Sequence, residues 1–189
     1  MKLLSHVRFV IGFCIMSIAG SVNAQVDLGS QTSKTPYDPY LAPIWPVFRQ
    51  LSGRADLETA AKLVRQGKAL RYSYSKSQPY VPQSPEETEA KKSGDCKAKS
   101  LWLASKLNDR NVRFVIGKAR LVSSISHAWL IWQGPEGWMI LDATNYSSPL
   151  YPARISSSEF IPTYSYSPGG KYSHRVSVAG AGAKNGDHL

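Results

Sequence analysis

Ser93-Gly94-Asp95-Cys96-Lys97-Ala98-Lys99-Ser100 is the stretch on which the reading of this fold turns. A turn-forming Ser-Gly-Asp run leads directly into residues that favour helix. Cys96, Ser100, Leu103 and Leu107 then recur at spacings of four, three and four. That periodicity predicts an amphipathic helix over Cys96–Leu107, with the cysteine in its first turn. There the thiol faces the positive end of the helix dipole. Lys97 and Lys99 are expected on the solvated side, where they add little.

Working upstream, Ser84-Pro85-Glu86-Glu87 has a capping serine, proline at the first helical position and glutamate three residues after the cap. It predicts a short helix ending near Ser93-Gly94. An earlier helix is expected over 57–66, capped by Asp56 and stopped by Gly67. The intervening 72–81 alternates Tyr and Ser and reads as loop or edge strand. Residues 25–46 contain four prolines and read as an extended arm without helix, anchored by Trp45 and Phe48.

Downstream, 112–122, 127–133 and 138–144 are strand-like, and Gly134-Pro135-Glu136-Gly137 between the last two signals a hairpin. From Pro149 the chain is loop-rich, with a last strand expected over 160–166 and a disordered tail at 177–189. Helices followed by a block of antiparallel strands define an α+β fold.

Residues 1–24 set the expected compartment. Lys2 and Arg8 flank a run that is almost wholly apolar from Phe9 to Gly20, and Ser21-Val22-Asn23-Ala24 closes it with small residues. This pattern is that of a secretory signal peptide cleaved after Ala24, so the mature protein is expected in the periplasm or outside the cell. The apolar run is too short for a comfortable membrane span. Removing it takes Lys2 and Arg8 and no acid, lowering the formal charge from +10 to +8. Cys14 leaves with it. The mature chain then holds Cys96 alone, and a lone cysteine in an oxidising compartment forms no internal disulfide. Export argues against nucleic acid as the partner of this basic surface; an anionic envelope polymer, or plain solubility, fits better. Residues 47–176 are read as the functional domain, large enough to bury a core.

Geometry links the cysteine to two further residues. With Gln133 opposite Trp138 in the hairpin, Trp129 faces Asp142 and His127 faces Thr144. His127 and Asp142 then share a face as diagonal neighbours, about 6–8 Å apart and within side-chain reach. An aspartate so placed accepts the imidazole N–H and stabilises the imidazolium. Taken singly, a cysteine on an apolar helix face is usually a small hydrophobe, a histidine among aromatics is usually structural, and an aspartate at a strand end is usually a turn former. Together they make up the equipment of thiol catalysis. The backbone N–H of Cys96 can donate to an oxyanion, and Gln78, Tyr80 and Gln83 are the candidates for a second donor. His174 and His188 fall in loop and tail. One cysteine and scattered histidines give no metal-ligand spacing, so neither metal nor cofactor is expected.

Gly94-Asp95-Cys96 opening a helix, followed by His127-Ala128-Trp129 and Leu141-Asp142-Ala143-Thr144, resembles the transglutaminase-like cysteine protease superfamily, and most of all its bacterial transglutaminase-like cysteine peptidases. Flanking similarity at Pro85-Glu86-Glu87-Thr88, and at Pro162-Thr163-Tyr164-Ser165 with Gly169-Gly170, carries the resemblance over about residues 45–174. It implies a papain-like, transglutaminase-core fold with N-terminal helices packed on an antiparallel sheet. It further implies Cys96 as nucleophile, His127 as general base and acid, Asp142 as the orienting residue, and a protein or peptide substrate whose amide is cleaved through a thioacyl intermediate. That branch usually carries acidic residues directly after Gly-Asp-Cys, and some members bind calcium through them. Here Lys97 and Ala98 stand in those positions. Two other readings remain at this stage: a non-catalytic envelope-binding module on the same fold, and a cross-linking transglutaminase.

Overall fold

The computed structural model describes residues 26–40, 42–75 and 80–174. The signal segment, the C-terminal tail and Gln78 therefore lie outside the described residues. The α-helices are α1 (Ile44–Gln50), α2 (Leu57–Ala69), α3 (Pro85–Lys91) and α4 (Cys96–Leu107), all before the long strands. The strands are β1 (Ser30–Thr32), β2 (Arg71–Tyr72), β3 (Ser93–Gly94), β4 (Val112–Arg120), β5 (His127–Gly134), β6 (Gly137–Leu141), β7 (Glu159–Ser167) and β8 (Gly170–Ser173). Six of them form one sheet in the order β1-β8-β7-β4-β5-β6, every neighbour antiparallel. β2 and β3 make a separate short parallel pair. The architecture is α+β, as expected.

Alternation along the strands divides the core into two layers. Phe114, Ile116, Ala128, Leu130 and Trp132 face the helices, while Val115, Trp129, Ile131 and Ile140 pack on Phe160 beneath the opposite face. Because both faces of β5 are covered, six consecutive residues from His127 to Trp132 are buried. The hairpin holds the anticipated register, Gln133 opposite Trp138, with the turn closed by Gly134 and Gly137. Gly137 has φ +105°, a conformation in which a side chain is strained.

The local signals upstream of Cys96 act as the sequence suggests. Ser84 and Glu87 form a reciprocal capping box at the start of α3. Asp56 caps α2 by accepting from Thr59 N at 2.7 Å.

Several expectations need correction. α2 does not stop at Gly67 but continues to Ala69. Gly67 is buried where a Cβ would lie 2.6 Å from the Ala143 side chain and 3.1 Å from Trp102, so the glycine permits a close helix-to-loop approach. The segment 25–46 is not a helix-free arm. β1 pairs with β8 in the main sheet, and α1 begins at Ile44, with Pro46 in its first turn where a missing N–H costs nothing. α4 is not simply amphipathic, since it packs against α1, α2, α3 and β5 and is buried at nine of its twelve positions. Lys99 is accordingly not a solvated charge. It is 2% exposed and donates from Nζ to the Leu70 carbonyl at 2.9 Å.

Candidate active site

The Ser-Gly-Asp turn presents Cys96 as the first residue of α4. Asp95 is its N-cap: Oδ1 accepts from Lys97 N at 3.0 Å and Ala98 N at 2.9 Å, and Oδ2 accepts from the Tyr80 hydroxyl at 2.6 Å. The helix offers no acceptor to the N–H of Cys96 itself, which leaves that donor for an incoming group. One turn on, Ser100 Oγ donates to the Ala128 carbonyl at 3.1 Å. This bond ties the cysteine helix to β5 beside His127.

His127 opens β5, and Asp142 follows the end of β6. His127 Nε2 and Asp142 Oδ2 lie 2.9 Å apart, with the carboxylate fully buried. The loop after β6 folds back on that carboxylate. Thr144 N and Asn145 N donate to Oδ1 at 2.9 and 3.3 Å, and Asn145 Nδ2 donates to Oδ2 at 2.8 Å. Asn145 Nδ2 also stands 3.2 Å from His127 Nε2. The imidazole is stacked on Trp129, ring centroids 5.9 Å apart and planes at 24°. With Nε2 engaged by Asp142, Nδ1 is the ring nitrogen left for Cys96, which shares the cleft with His127.

Electrostatics favour the imidazolium. Burial by itself lowers the pKa of His127, but the hydrogen bonds to Asp142 and Cys96 and their negative charges outweigh it, so the group is pushed up to about 9. For Asp142 burial raises the pKa, yet the bonds from His127, Asn145 and Thr144 win and hold the carboxyl below its usual range. The pair is charged at neutral pH.

A cleft of about 430 Å³ opens over Cys96 and His127, with Tyr72, Ile125, Thr144 and Asn145 among its walls. Tyr72 is placed there by the β2–β3 pair, in which it sits opposite Gly94, and it lines the same cleft as Cys96. Its pKa is raised by burial first and then by the charges of Cys96 and Asp95, so it stays a donor.

The three proposed second donors fare differently. Gln78 lies outside the described residues. Tyr80 is not free for an oxyanion, because its hydroxyl is committed to Asp95. Gln83 lies beside Gly94, where its Oε1 would be 3.4 Å from an added Cβ; that oxygen is buried without a partner among the described residues.

Tyr72, Ser100 and Asn145 escaped the sequence reading. Ser100 sat on the predicted cysteine face and could have been noticed there, whereas nothing local marks the other two.

His174 lies in the loop after β8, as expected, but is not open to solvent. It is buried, bonded to Ser165 Oγ at 2.8 Å and 3.2 Å from Asp27 Oδ2. That second Ser–His–Asp alignment offers no substrate access, because Ser165 is fully buried.

Calcium does not fit at the position after Cys96. The Lys97 ammonium stands there, 4.7 Å over the Tyr80 ring, and both Asp95 oxygens are taken. Among the described residues no group of three or more His, Cys, Asp or Glu side chains could hold a metal.

Comparison with solved structures shows the fold. Legionella pneumophila LapG shares 17% identity over 74% of this chain and 81% of that chain, with a TM-score of 0.51. Its EGTA-treated form shares 18% over 77% and 81%, at 0.53, and its calcium-bound form 18% over 78% and 87%, at 0.50. The chain thus has the fold of LapG. No protein-family model matches the sequence, and no curated protein sequence does. Among the described residues no helix is long and apolar enough to cross a membrane.

Proposed function

We propose that the chain is an exported cysteine hydrolase that cleaves an amide bond of a protein or peptide, with Cys96, His127 and Asp142 as its catalytic triad. The observation that carries this reading is the His127–Asp142 hydrogen bond with Cys96 beside His127 in one cleft, at the start of a capped helix. Export rests on the signal-like residues 1–24 and on the single cysteine that remains after them.

The chemistry follows from the charge state. With His127 protonated up to about pH 9, its imidazolium stands ready to stabilise the thiolate, the form of Cys96 that attacks. The sulfur attacks the carbonyl carbon, forming the S–C bond as the carbonyl π pair moves onto oxygen. The Cys96 N–H and the Tyr72 hydroxyl are the donors available to that oxyanion. Collapse breaks the C–N bond, and the leaving amine takes the Nδ1 proton of His127. The neutral imidazole next removes a proton from water, whose oxygen attacks the thioester. Cys96 departs as thiolate and His127 is again protonated. Asp142 keeps Nε2–H oriented throughout.

Exposure of the cleft supports water as the acceptor: Tyr72 is 53% and Ile125 75% exposed, where transamidation calls for exclusion of water.

Iodoacetamide labelling tests the assignment. Cys96 should alkylate rapidly at neutral pH, and His127→Ala should slow it by tenfold or more. Equal rates in the two proteins remove the support for His127 as partner, and with it the hydrolase reading.

A further inference from the structure

Beside the cleft at Cys96 lies a second cavity of about 340 Å³, within the range of small-ligand pockets, about 300–1,000 Å³. The rings of Tyr37, Tyr40, Tyr74 and Tyr80 line it, with Phe114 and Ile116 contributed by β4. The two cavities share Ser126, the residue before His127, and Lys97, the residue after Cys96, forms part of the second wall. Neighbouring Cα atoms are about 3.8 Å apart, so a polypeptide lying across Cys96 reaches this cavity within one or two residues of the bond being cut.

We infer that this tyrosine-lined pocket is the specificity subsite of the site, taking a large apolar side chain carried one or two residues from the scissile amide of a polypeptide. The inference rests on the reading of Cys96 as nucleophile.

The distribution of exposed apolar residues supports it independently. Of the seven most exposed large apolar side chains among the described residues, four (Tyr40, Tyr72, Tyr74 and Ile125) line the two cavities, while Val81, Leu121 and Val122 line neither. Tyr40 (44% exposed) and Tyr74 (68%) stand at the pocket. Ile125, with Leu121 and Val122 in the same β4–β5 connection, stands on the other side of the cleft. Exposed apolar side chains concentrated around one site mark a surface that meets an apolar partner.

Two polar groups on the wall are already occupied. The Lys97 ammonium lies over the Tyr80 ring, and the Tyr80 hydroxyl is held by Asp95. Tyr80 therefore belongs to both places, with its ring on the pocket and its hydroxyl on the cap of the helix that carries Cys96. It is a positioning residue: a side chain seated against the ring holds the hydroxyl on Asp95, and so holds the first turn of α4.

The test uses the whole mature chain and peptidyl electrophiles that extend two residues to each side of the reactive carbon. Phe, Ala or Asp is walked through the four positions, and iodoacetamide serves as the reference without side chains. At one position the Phe probe should alkylate Cys96 at least about tenfold faster than the Ala and Asp probes, the discrimination expected of an apolar pocket. Tyr74→Ala should bring the Phe-to-Ala ratio down toward one. Tyr80→Phe, which keeps the ring, should keep the ratio and the half-saturating probe concentration while slowing the maximal inactivation rate.

A ratio of one or less at all four positions, or a faster Asp probe, overturns the subsite if iodoacetamide labelling remains rapid and dependent on His127. Loss of that dependence instead overturns the underlying triad. An unaltered maximal rate in Tyr80→Phe overturns the link between pocket and nucleophile.

Discussion

Replacing Asp142 by asparagine removes a charge and almost no volume from the fully buried pair. The carboxylate accepts on both oxygens, from two backbone N–H groups on Oδ1 and from His127 and Asn145 on Oδ2. An amide can accept on only one side. If its oxygen keeps the backbone donors, its NH2 faces His127 and imposes the tautomer with the proton on Nδ1 and the lone pair on Nε2. The imidazolium then loses the Asp142 contacts that helped raise it to about 9, while burial, which lowers it, and Cys96, which raises it, remain.

The pKa should fall clearly below about 9, and each unit of the fall is about 1.4 kcal/mol less stabilisation of the charged form. Below about pH 6.5 folded and unfolded chains both hold this proton, and the pair's contribution to stability is fully present. It is lost as pH rises from there through about 9. The variant should therefore lose most of its stability difference from wild type at high pH. Titration of the His127 ring protons by NMR reads the shift directly, and denaturant unfolding at pH 6 and pH 9.5 reads the linkage. A His127 pKa that stays within about half a unit of the wild-type value in a folded variant would refute the electrostatic account.

Further outcomes follow from the same geometry. Activity, as kcat/KM on a peptide substrate, should decline as pH rises through about 9, because His127 then lacks the proton for the leaving amine; a profile still climbing at pH 10 contradicts that role. Ser100→Ala leaves the Ala128 carbonyl without its donor and should cost about 1–3 kcal/mol by denaturant unfolding, with slower Cys96 alkylation as α4 loses its tie to β5. Gly67→Leu forces side-chain atoms into Ala143 and Trp102 and should cost about 1–3 kcal/mol or more. Because Ala143 adjoins Asp142, that variant should also slow alkylation, whereas a stability equal to wild type would mean the approach is looser than described.

What could be read from the sequence was what neighbouring residues decide among themselves. The bounds of α4, the capping box of α3, the Asp56 cap and the hairpin register are all set within a few residues, and the register alone brings His127 and Asp142 to one face. The remainder depends on partners far along the chain. β1 is a strand only because Ser173 lies opposite Ser30, more than a hundred residues away. Gly67 looks like a helix stop until Ala143 is packed on it. Lys99 looks solvated until α2 brings the Leu70 carbonyl over it. Tyr72 reaches Cys96 only because Gly94 pairs with it. The tyrosine pocket draws its rings from three separate segments and leaves no local motif.

The central claim is that Cys96 forms a covalent acyl bond with help from His127. Its most direct measurement is mass spectrometry of the intact mature chain, acid-quenched during turnover of an activated ester of an acylated phenylalanine. The account predicts a mass increase equal to the acyl group, mapped to Cys96, that disappears as the ester is consumed and is strongly reduced in His127→Ala. No adduct on Cys96, or an equal adduct in the two proteins, would contradict it.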